Sequence, residues 1–69
     1  MTSNRQYILD HLQVLLEGRK PQGNIVAMVG ADAEFFFMAV EEAFDLDASL
    51  FKACVTFHAL AETLEFYLF

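Results

Sequence analysis

The chain has one cysteine, one proline, three glycines, no tryptophan and only four lysines and arginines in 69 residues. Cys54 alone cannot close an internal disulfide, and His11 and His58 lie too far apart in the chain to form a zinc framework. A domain this small sits at the lower edge of what one hydrophobic core stabilises without such staples. Stability is therefore left to apolar packing, alone or shared with another chain. No P-loop, dinucleotide fingerprint or paired-cysteine motif occurs, so no cofactor and no metal ion is expected. No apolar run approaches the roughly 18 to 20 residues that cross a bilayer, and the opening MTSNRQYILDH lacks the basic and apolar regions of a signal peptide. A soluble cytoplasmic protein is the expectation, and the unpaired thiol fits a reducing compartment. Arg19 and Lys20 in GRKPQG are too few for a nucleic-acid footprint.

What is present is grease and acid. The hydrophobic fraction is 57% with eight phenylalanines, which excludes a disordered acidic tail despite the net charge of −6. From Asp32 to Asp47 stand Asp32, Glu34, Glu41, Glu42, Asp45 and Asp47 with no Lys or Arg among them. That segment repels phosphate backbones and anionic membranes, so its expected partner is a protein with a basic surface, not nucleic acid or lipid.

Residues 1–69 read as a single helical domain without repeats or low-complexity tracts. Ser3 or Asn4 caps a first helix running to about Glu17. Steps of about 100° put Ile8, Leu9, Leu12, Leu15 and Leu16 in one stripe, with Asp10, Gln13 and Glu17 opposite. Gly18 ends it, and GRKPQG is a loop. Asn24–Gly30, NIVAMVG, has the β-branched content of a strand but nothing to pair with, and is read as a buried loop crossing the bundle. Asp32 caps a second helix over Ala33–Phe44, with Glu34 in its first turn favoured by the helix dipole. Asp47 or Ser49 starts a short turn through Leu50 to Cys54. Thr56 caps a last helix whose Phe57, Leu60, Ala61, Leu64, Tyr67 and Leu68 follow the core spacing.

The second helix has more grease than one face can use. Phe36, Phe37, Ala39, Val40, Ala43 and Phe44 fall on one broad side. Phe35 and Met38 fall instead beside Glu34, Glu41 and Glu42. A ring and a thioether surrounded by acids have the makeup of a contact patch with a polar rim, each offering about 1.5 to 3 kcal/mol on burial. Glu34, Phe35, Met38 and Glu42 are the expected partner-binding residues.

FFFMAVEEAFDLD followed by TFHALAETLEFYL resembles the second and last helices of acyl carrier proteins, over about the C-terminal half of the chain. The resemblance implies a carrier-like bundle with an acidic recognition helix that docks on an enzyme of acyl or peptide assembly. Carriers hold phosphopantetheine on the Ser of an Asp-Ser-Leu triplet, and alignment back from Met38 puts Val29-Gly30-Ala31 there. Gly30 offers no hydroxyl. GADAE is similar to the GDDAE of a carrier-like bacterial branch without the serine. Ser49 in DASLFKAC loosely echoes the attachment triplet, but its helix would be followed by none, and a cap is the reading preferred; intact mass after incubation with a phosphopantetheinyl transferase and coenzyme A tests it.

Cys54, His58 and Glu62 stand at i, i+4, i+8, the order of a thiol, imidazole and carboxylate on one helix face. Thr56 breaks that helix between the first two, and no convergent amide pair is evident, so the chain is not expected to be an enzyme. Phe66 and Phe69 lie off the last helix's main stripe; an exposed Phe66 would mark a contact for homodimer formation. The expected whole is an all-α, four-helix acyl-carrier-like bundle, three main helices and one short, that binds a protein and catalyses nothing. The alternatives are a small acidic inhibitor occupying the nucleic-acid-binding site of a target, and a functional carrier modified on Ser49.

Overall fold

The computed structural model describes residues 3–69. Three helices of 12 residues build it: α1 (Asn4–Leu15), α3 (Ala33–Phe44) and α4 (Phe57–Leu68). A one-turn helix, α2 (Ile25–Val29), precedes α3, and single 3-10 turns occupy Gly30–Asp32 and Ala48–Leu50. The protein is a small all-α bundle in which α1 packs on α4, and α3 closes against α1 and α2.

Two of the three long helices start on a side-chain cap. The Ser3 hydroxyl accepts from the Gln6 N–H at 3.0 Å, and the Thr56 hydroxyl accepts from the Ala59 N–H at 3.1 Å. Asp32 stands at the cap position of α3 but makes no capping hydrogen bond, because the preceding 3-10 turn leaves it at φ −85°, ψ 5° rather than extended. The first helix ends two residues before Glu17. The chain reverses there through Glu17 at φ 58°, with the Gly18 N–H donating to the Gln13 carbonyl at 2.9 Å and the Glu17 N–H to Val14 at 3.1 Å. This is the Schellman arrangement with its left-handed residue one position earlier than the glycine suggests.

The segment NIVAMVG is a helix and not the buried loop expected from its sequence. The Asn24 side chain accepts from the Ala27 N–H at 3.1 Å and starts α2, of which only Ile25 is buried. The two residues leading into α2 run antiparallel to those leading into α4, with one bridge between Asn24 and Thr56. The Ile25 N–H donates to Val55 at 2.9 Å and the Phe57 N–H to Gly23 at 3.0 Å, so each helix's first orphan donor is satisfied by the other's leader. The short helix therefore stands before α3. The region Leu50–Cys54, expected to carry it, is a 3-10 turn and irregular turns.

One cluster forms the core: Ile8, Leu12 and Leu16 from α1, Ile25 from α2, Phe36, Val40 and Phe44 from α3, Phe51, and Phe57, Leu60, Ala61 and Leu64 from α4. Leu9 and Leu15 pack at its edge, as does Leu68. Tyr67, placed on the core stripe by spacing, is half-exposed, and Ala43 of α3 is exposed as well. The rings of Phe57, Phe36, Phe37 and Phe51 follow one another at centroid spacings of 5.7, 5.9 and 6.1 Å, so adjacent phenylalanines serve both α4 and the turn before it. No side-chain polar atom is buried without a partner among the described residues.

Candidate functional site

The run Phe35-Phe36-Phe37-Met38 is divided by the helix turn. Phe36 is core, Phe37 is half-buried over Phe51, and Phe35 and Met38 point out with 69% and 57% of their surface exposed. Three residues apart on α3, they form one outward stripe that continues to exposed Glu42, with exposed Glu34 beside it. The structure thus brings the four sequence-predicted residues to one helix face.

Phe35 also forms a wall of a groove of about 350 Å³ between the end of α1 and the start of α3. Leu15, Val29, Phe36 and Ala39 supply its apolar lining, and Glu17 and Asp32 its acids. Arg19 lines the same groove, but its guanidinium is committed to backbone: Nε donates to Leu16 at 3.1 Å and Nη1 to Met28 at 3.2 Å, tying the ends of α1 and α2 together. The groove is a feature the sequence reading missed. Glu17 and Arg19, at and after the reversal that ends α1, line it opposite residues of α3.

Acids outnumber cations on this side, where Arg19 lines the groove and Lys52 acts on Asp47. Among the described residues the salt bridges are Arg5–Glu65 and His58–Glu62, and none reaches Asp32, Glu34, Glu41, Glu42, Asp45 or Asp47 within 4.0 Å. Two of those six acids have structural work. Glu41 accepts the Ala48 N–H at 2.7 Å, and Asp47 accepts the Ser49 N–H at 2.8 Å, each holding the turn after α3. The Ser49 N–H and then its hydroxyl hold the Asp47 carboxyl below the usual carboxylate range, with the Lys52 charge acting in the same direction. Of the two starts the sequence offered, Asp47 is the capping residue, and the reading of Ser49 as the cap is corrected. Glu34, Glu42, Asp32 and Asp45 remain exposed and free of hydrogen-bonding duties among the described side-chain contacts.

Gly30, where the resemblance would put an attachment serine, closes α2 at φ 59°, ψ −132°. That conformation is reserved in practice for glycine, although a Cβ there would meet open space. The backbone at this position is built for the residue it has.

The Cys54, His58 and Glu62 row is not assembled. Cys54 lies before the Thr56 cap and its Sγ sits 3.5 Å from the Thr63 hydroxyl, while His58 Nε2 faces Glu62 Oε2 at 3.5 Å on the open surface of α4. No group of three or more metal-ligating side chains converges among the described residues. No helix is long and apolar enough to cross a membrane among them. Comparison with protein families, curated proteins and solved structures finds no match for this chain.

Proposed function

We propose that this protein is a non-catalytic, acyl-carrier-like binding module that docks a basic-surfaced protein through the outward face of α3. The observation that carries the reading is the joint exposure of Phe35 and Met38 beside acids that form no salt bridge among the described residues. A bundle of 69 residues gains little for its own stability from a phenylalanine left 69% exposed, whereas a partner covering it gains most of the transfer energy of the ring. The acids steer and align; the apolar pair supplies the anchor. The glycine geometry at position 30 supports the serine-free version of the carrier reading, and an enzyme of acyl or peptide assembly is the partner class that resemblance suggests.

The apolar anchor favours this reading over a phosphate-mimicking inhibitor, which needs spaced charge more than grease. Capture from cell extract with the wild-type chain and with the Phe35→Ser/Met38→Ser variant tests it. The expected result is a protein with a basic surface that the wild type retains at low salt, that the variant loses, and that elutes as salt rises. A captured set indifferent to both the double substitution and salt contradicts the proposal.

A further inference from the structure

We propose that the trough between α1 and α3 receives one amphipathic, basic helix of the partner, with two large apolar side chains seated in the hollows at its ends and lysines or arginines over the acids of its rim. This rests on the reading of the α3 face as a docking surface, since Phe35 belongs to both. The two helices lie antiparallel across the trough. Leu15 shares the groove of about 350 Å³ with Phe35 and Phe36 at one end, and Tyr7 shares a second hollow of about 420 Å³ with Ala43 and Phe44 at the other. Between them the His11 ring lies 5.7 Å from that of Phe44. Both walls carry apolar surface that the bundle leaves uncovered. Tyr7 and Val14 stand on the His11 side of α1, at i and i+7, with 47% and 76% of their surface exposed. On the facing wall Ala39 and Ala43 follow Phe35 at four-residue steps, low enough for another helix to lie over them. Phe35 and Ala43 are separated by about 12 Å of helix rise, the spacing of side chains at i and i+7 or i+8 on an occupying helix.

Backbone and charge select that occupant. The described residues include no strand, only the single bridge Asn24–Thr56, so there is no sheet edge for an extended segment to join. A helix brings its own backbone hydrogen bonds. Glu17 and Asp32 border one hollow, and exposed Glu42 stands on the α3 rim at i+7 from Phe35; none has a salt-bridge partner among the described residues. Arg19 is the one cation in either lining, and its guanidinium is held on the Leu16 and Met28 carbonyls. No Asp, Glu, Lys or Arg lines the second hollow. The occupant is therefore cationic where it crosses Glu17 and Asp32 and uncharged where it enters the hollow beside Tyr7. A second copy, at net charge −6, and an anionic lipid surface are repelled.

A displayed library of alanine-based peptides of about 16 residues, long enough to hold a helix, varied among Leu, Phe, Lys, Arg and Glu and selected on the full chain, tests the proposal. The expected result is enrichment of peptides with large apolar side chains seven or eight positions apart and Lys or Arg toward one end. Their binding should fall about tenfold on Val14→Ser and on Ala43→Gln, with circular dichroism confirming that both variants are helical. Peptides lost on Phe35→Ser/Met38→Ser but indifferent to Val14→Ser and Ala43→Gln leave the α3 face as the docking surface and overturn the trough. No enrichment overturns the trough alone, and enrichment of acidic peptides overturns both readings. NMR of the wild-type chain is independent of variant folding: peptide contacts at Tyr7, Val14 and Ala43 support the proposal. Contacts there in the free chain, from a second copy or from residues 1–2, show the trough already filled and refute it.

Discussion

Asp45 closes α3 in the left-handed conformation, φ 53°, ψ 46°, with a negative side chain at the negative end of the helix dipole. Glu17 does the same at the end of α1 with φ 58°. Glycine or asparagine suits both positions better, since the left-handed region costs a side-chain-bearing residue about 1 to 2 kcal/mol and a carboxylate there adds repulsion from the last carbonyls. Asp45→Asn is expected to raise stability by about 0.3 to 1 kcal/mol in urea unfolding, by relieving the dipole term alone. If the acid rim steers docking, the same substitution weakens partner binding and flattens its salt dependence. A residue that lowers stability and raises affinity is the signature of a surface shaped by its partner. At this scale the sequence was readable for some residues that act on their own helix, but not for Asp32, which makes no capping hydrogen bond. Thr56 caps as its position predicts and Ser3 is the used member of the Ser3 or Asn4 pair, while Phe35 and Met38 lie outward as 100° steps place them, with no loop or helix rotation covering them. Arg5–Glu65, 60 positions apart, was not readable, because nothing local marks which of several exposed acids an arginine will meet.

The elements show where local signals stop sufficing. Ala33–Phe44 agrees with its sequence-predicted bounds because a 12-residue amphipathic run with Glu34 in its first turn favours a helix without outside help. Ile25–Val29 did not declare itself. A five-residue helix is too short to be stable on its own, and it exists because Asn24 caps it and because its leader pairs with the leader of α4. The pairing makes the two N-termini interdependent. Thr56→Ala removes the hydroxyl that accepts from Ala59, with an expected cost of about 0.5 to 2 kcal/mol. Because Ile25 donates to Val55 and Phe57 to Gly23 across the same junction, hydrogen exchange should quicken at Ile25 and Ala27 as well as at Ala59. Faster exchange confined to α4 would mean that the two leaders are not coupled.

At the scale of the molecule, the same residue type does two opposite jobs. Phe57 is fully buried against Phe36 at the centre of the one core, whereas Phe35 lies on the surface. Phe57→Ala is expected to cost about 3 to 5 kcal/mol. A domain of 69 residues has roughly 3 to 10 kcal/mol in total at 0.05 to 0.15 kcal/mol per residue, so cooperative unfolding should be lost or nearly so. Phe35→Ala should shift stability by less than about 0.5 kcal/mol. Thermal unfolding of the pair of variants separates core from contact surface. Equal losses would show that Phe35 supports the fold after all. The all-α class followed from periodicity and caps, but the groove beside Phe35 depends on where the chain leaving α1 and α2 lies beside α3, which no single stretch of sequence encodes.

The central claim is that the α3 face is covered by another protein in the cell, and photo-crosslinking in the native cell reads that contact directly. With benzoylphenylalanine at position 35 or 38, the chain should form a covalent adduct with one basic-surfaced protein, and the same group at exposed Gln22 should not. Adduct formation at position 22 with none at 35 or 38, or no adduct at any of the three, would contradict the account.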